Sequence, residues 1–105
     1  MNEDTVEKAL KYLAETDQSH ANALALVKSY EKVLDIVKSE QFLKSSGNNE
    51  ERMAKAKTSP EYREENEKRE NAWADYQLLE NKRERARITL DLYRTMSANQ
   101  RKGNI

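Results

Sequence analysis

An all-α fold, a long antiparallel helical hairpin with a short elbow helix between its arms, is what this sequence predicts. Three observations lead there. Apolar residues recur every three or four positions over two long stretches, no stretch alternates apolar with polar residues over a strand's length, and the helix breakers are few, two glycines and one proline. The chain has 105 residues, 36% hydrophobic and 36% charged, with 19 basic and 19 acidic side chains. That is one small domain with little apolar material for a core, so a partner subunit is expected to complete it.

The first helix is expected from about residue 5 to 45. Asn2 or Asp4 offers the cap, and Val6, Leu10, Leu13, Leu24, Val27, Leu34 and Val37 form the stripe. Ser45, Ser46, Gly47, Asn48 and Asn49 interrupt it. A short helix of about residues 50 to 57 follows, capped by Asn48 or Asn49 and too brief to persist without packing. Ser59 as N-cap with Pro60 at the first helical position then opens a third helix of about residues 60 to 98, leaving a frayed tail over 99 to 105. At 1.5 Å per residue the long arms match in length, and pairing the end of one with the start of the other sets Leu13 near Leu92 and Leu24 near Asn81.

Apolar residues off the main stripe, Tyr12, Tyr30, Ile36 and Phe42 on the first arm and Ile88 and Leu92 on the third segment, are too many for one seam. The expectation is therefore a homodimer whose hairpins combine into a four-helix bundle. No apolar run approaches the length of a membrane span, and the first residues lack the basic start and apolar stretch of a signal peptide, so a cytoplasmic location without membrane contact is expected.

Chemistry is sparse. With no cysteine and one histidine, thiolate sites and most acid–base constellations are excluded; no phosphate loop or nucleophile motif is visible. The expectation is no enzyme, no cofactor, no metal and no small-molecule substrate. Asp17 and His20, three apart where the stripe calls for apolar residues, read as a polar core layer satisfied by Arg83 or Arg87. A metal pair is the alternative, but the facing stretch supplies arginines rather than ligands. Tyr62, Trp73 and Tyr76 share one helical face and serve either as core aromatics or as a partner-binding stripe.

Charge is uneven. Residues 82 to 105 carry seven basic against two acidic side chains, a balance of +5. Lys82, Arg83, Arg85, Arg87, Arg94, Arg101 and Lys102 are the candidate nucleic-acid contacts, since guanidinium groups suit bidentate phosphate binding. Against this, basic residues also favour a helix C-terminus on dipole grounds, and the antiparallel arm brings acidic Glu3, Asp4, Glu7, Glu15 and Asp17 alongside them.

The stretch from Glu50 through Met53, Lys57, Ser59 and Pro60 to Tyr62, together with the ending Leu92-Tyr93-Arg94-Thr95-Met96 through Arg101, resembles small all-helical proteins of tailed phages and prophages. Such proteins are encoded near recombination and replication genes. The resemblance implies an accessory role in a bacterial host, through binding a macromolecule of DNA recombination, replication or host defence. It brings no catalytic residues. Non-sequence-specific DNA binding through the arginine-rich end and a structural helical spacer are the alternatives.

Overall fold

A computed structural model describes residues 2–103 and contains, among them, three helices and no strand: α1 (Glu3–Lys44), α2 (Asn49–Thr58) and α3 (Pro60–Gly103). The caps explain the starts. Asn2 Oδ1 accepts from the Thr5 amide at 2.9 Å, Asn48 Oδ1 from the Glu51 amide at 2.9 Å, and Ser59 Oγ from the Tyr62 amide at 3.2 Å. Each satisfies an amide that the first turn leaves without an intrahelical acceptor. The expected frayed tail is instead helical as far as Gly103, because nothing from Ala98 to Lys102 breaks a helix and Arg101 and Lys102 suit its negative end. Asn104 and Ile105 lie outside the described residues.

The chain forms two compact units. One comprises the described residues up to Ala21 and those from Gln77 onward; the other is Asn22–Tyr76.

In the first unit a continuous stripe of covered positions runs through Val6, Ala9, Leu13, Thr16 and His20 on α1 and Leu79, Arg83, Ala86, Leu90 and Tyr93 on α3, with Tyr12, Glu80, Arg87 and Thr89 half-covered beside it. Alternating steps of three and four mark a coiled-coil seam. Arg83 contacts Leu13, Thr16 and Asp17 while Glu80, three residues earlier on α3, meets His20, further along α1; together these contacts make the helices antiparallel and set Ala9 opposite Leu90 and Leu13 opposite Ala86. Small therefore faces large, and the helix axes can approach closely. Leu10, expected in the stripe, is 53% exposed, and Ala9 takes its place. Its position one step off the three-four spacing turns it outward.

In the Asn22–Tyr76 unit a stripe of covered positions runs through Ala23, Val27, Tyr30, Leu34 and Val37 on α1 and Tyr62, Glu65, Arg69, Ala72 and Tyr76 on α3, with the expected Leu24 half-covered beside it. Matched antiparallel, these two sets place Val27, only 2% exposed, opposite buried Ala72 and Val37 opposite Tyr62. The register thus differs from the expected end-to-end pairing by about two turns of helix. The reason lies in the elbow. The last turns of α1 pass the start of α3 and are covered by α2, whose Arg52 donates from Nε to the Phe42 carbonyl at 3.1 Å and lays its guanidinium 4.2 Å above the Phe42 ring. Lys55 Nζ donates to the Ser46 carbonyl at 2.8 Å, and Ala56 is fully buried. Short as it is, α2 persists because it is held at both ends and packed in the middle.

Gly47 makes the turn into α2 with φ +115°, a region that L side chains rarely adopt. A Cβ there would also press on the Glu51 side chain. Gly47→Ala is expected to lower stability by about 1 kcal/mol or more, read as a shift in the urea midpoint at unchanged slope. An unchanged midpoint would mean that the turn readjusts freely.

Candidate functional site: a polar layer, a basic end and open apolar faces

A hydrogen-bonded layer occupies the seam of the first unit. Thr16 and His20 stand at seam positions of α1, while Arg83 stands at the seam of α3 with Glu80 and Arg87 one step aside. Arg83 is 7% exposed. Its Nη1 donates to the Leu13 carbonyl at 2.9 Å and to Thr16 Oγ1 at 2.7 Å, and its Nη2 reaches Asp17 Oδ1 at 3.3 Å. His20 Nε2 contacts Glu80 Oε2, and Arg87 Nη1 donates to Glu80 Oε1 at 3.1 Å and Glu84 Oε2 at 2.7 Å.

Asp17 and His20 are therefore drawn to different partners. The Asp17 side chain is 81% exposed at the rim, whereas His20 is largely covered. With an arginine on each carboxylate that borders the layer, its charges are already compensated, and the arrangement is that of a structural network. Among the described residues no group of three His, Asp or Glu side chains converges as a metal site.

Glu80 is the residue that sequence reasoning missed. Its neighbours Arg87, first, and His20, next, hold its carboxyl below the ordinary carboxylate value. A depressed folded value means that the ionised carboxylate adds stability above the unfolded value, and this is lost as pH falls through the depressed one. Glu80→Gln is accordingly expected to cost about 1 kcal/mol at pH 7 and to flatten the acid limb of the stability curve. Equal losses at pH 7 and pH 3 would show that the charge is not what matters.

The basic end divides under the same contacts. Arg83 is committed to the seam and Arg87 to two carboxylates, which leaves Lys82, Arg85, Arg94, Arg101 and Lys102 on the exposed surface, with Arg94 3.7 Å from Asp91. At about 100° per residue, Lys82 and Arg85 point to one side of α3, and Arg94 and Arg101 point roughly 120° or more away. With Lys102 between these two groups, the cations are spread around the helix rather than aligned in one phosphate-tracking stripe.

Of the aromatic residues, Tyr62 and Tyr76 lie half-buried at seam positions of the Asn22–Tyr76 unit. Trp73, next to the seam, is exposed, with its ring centroid 5.6 Å from that of Tyr76. Large apolar side chains remain open in both units. In the first unit these are Leu10, Leu78, Ile88, Leu92 and Met96; in the second they are Leu26, Val33, Ile36, Leu43 and Trp73. The buried hydrophobic core consists of Ala9, Val27, Leu34, Ala56, Ala72 and Ala86, so the larger apolar groups are mostly outside it. No helix among the described residues is long and apolar enough to cross a membrane.

Comparisons with protein-family models, with curated proteins and with solved structures find no match to this chain.

Proposed function

We propose that the protein is a non-enzymatic accessory protein of a tailed phage or prophage, a cytoplasmic homodimer whose hairpins form a four-helix bundle and which acts by binding a protein of DNA recombination, replication or host defence. The observation that carries the binding role is the open apolar surface. Ile88, Leu92 and Met96 follow one another four residues apart on α3, the spacing with which a helix anchors in an apolar groove of a partner. Monomeric soluble proteins rarely expose large contiguous apolar patches, and those that do commonly bind a partner there. The phage setting rests on the resemblance of the Glu50 to Tyr62 and Leu92 to Arg101 stretches.

DNA binding through the basic end is the weaker reading, because Arg83 and Arg87 are engaged within the fold and the remaining cations are spread around the helix. Affinity capture from a bacterial lysate, with and without nuclease, tests the proposal. A protein partner should survive nuclease and be lost on Ile88→Glu/Leu92→Glu. Capture that disappears with nuclease and persists in that variant would put nucleic acid in the partner's place.

A further inference from the structure

We infer that the dimer forms through a self-complementary face of the Asn22–Tyr76 unit, α1 packing antiparallel on α1 of a second copy and α3 on its α3, about a two-fold axis midway between residues 34 and 35. This rests on the dimer reading above and specifies its interface.

The spacing carries the first half of the argument. Leu26, Val33, Ile36 and Leu43 are 39–74% exposed and, with Ser29 and Glu40 between them, repeat in steps of three and four along a second stripe of α1. Such a stripe is a coiled-coil seam without its partner helix. Turned end for end about the point between residues 34 and 35, it meets itself residue for residue. Leu26 falls opposite Leu43 of the second copy, Val33 opposite Ile36, and Ser29 opposite Glu40, so every apolar side chain finds an apolar one. An isologous contact needs this kind of self-matching patch.

Charge on α3 points to the same axis independently. In the register that sets Val37 opposite Tyr62, the point between residues 34 and 35 of α1 lies level with that between 64 and 65 of α3. The same rotation then brings Glu61 of one copy opposite Lys68 of the other, twice by symmetry, both side chains being exposed on the side of α3 that shares a face with Leu26 and Val33. Lys68 now lies 3.0 Å from Glu65, and its ammonium is held above the usual lysine value, first by that hydrogen bond and further by Glu64, so it stands in acidic surroundings. Glu64 comes near its own copy at the axis, with Lys68 of both chains beside it. The two Glu61–Lys68 pairs across α3, which flank and offset the Glu64 contact at the axis, and the apolar groups across the α1 pair arise from one operator, and that coincidence selects a second copy of this chain as the occupant.

The chain has no cysteine, so spin labels can be attached at single introduced thiols. Labels at Asp35→Cys, near the axis, should lie on the order of 15 Å apart, and labels at Ala25→Cys roughly 30 Å apart, because an antiparallel pair separates by 1.5 Å per residue on each helix. Val33→Glu/Ile36→Glu should raise the dimer dissociation constant at least 100-fold with helicity unchanged, since both side chains point outward. Glu61→Lys should weaken the dimer about tenfold, and Glu61→Lys/Lys68→Glu should restore it. Light scattering of the unlabelled chain separates the two levels. A single-chain mass at all concentrations would overturn the dimer and this interface together. A dimer with equal label distances at both positions, or one indifferent to Val33→Glu/Ile36→Glu, would keep the dimer and overturn this face as its contact.

Discussion

Arg83→Ala is expected to lower the unfolding free energy by about 3 kcal/mol, read from urea unfolding followed by circular dichroism. Two effects add. The substitution empties most of a long side-chain volume at a seam position where both helices are close, and it strips Thr16 and Asp17 of the donor that now serves them. Arg83→Met should recover most of the loss, because it refills the volume and removes a guanidinium whose Nε is buried without an acceptor among the described residues. Met as costly as Ala would assign the effect to the hydrogen bonds alone; Ala at no cost would mean that the layer contributes nothing to the fold. A stable Met variant also permits a test of specificity, since a polar layer in a coiled-coil seam commonly fixes register at some cost in stability.

Val27→Asp should cost more, on the order of 4 kcal/mol at neutral pH. Val27 is the most fully enclosed large side chain, and the register places buried Ala72 across from it, so a carboxylate there would have neither water nor a counter-ion. Burial would push its carboxyl above the unfolded value. The sign of the pH response is then opposite to that of Glu80. The penalty is fully present above the raised value and shrinks as pH falls towards the unfolded one, so the variant approaches the wild type in acid while the wild type itself loses the contribution of Glu80. A penalty independent of pH would place the new side chain at the surface and contradict the seam.

Much of the fold was legible because its signals are local. Asn2, Asn48 and Ser59 mark helix starts through hydrogen bonds that reach only three residues, Pro60 does so through its fixed φ and missing N–H, and Gly47 marks the turn. The seam was harder to read. Reading large apolar residues as the stripe favoured Leu10, whereas close packing of two helices selects Ala9, Ala72 and Ala86, residues common enough elsewhere to carry no signal alone. Spacing in threes and fours would have found them. Register depended on how far α1 runs past the start of α3, which the covering of Phe42 by Arg52 decides, and that is a contact between segments ten residues apart. In the polar layer, Asp17 and His20 stood out as polar residues within the first stripe, and Arg83 as a basic neighbour. Glu80 did not, because a glutamate among many on a charged helix is distinguished only by what packs beside it.

On the proposed reading, the apolar faces left open by a single chain are covered by another macromolecule, beginning with a second copy. Multi-angle light scattering on wild type and Val33→Glu/Ile36→Glu, over a hundredfold range of concentration, tests it most directly. The wild type should return twice the 12.3 kDa of one chain and the variant the mass of one chain, with the same helical spectrum. A wild-type mass of one chain throughout would contradict the account.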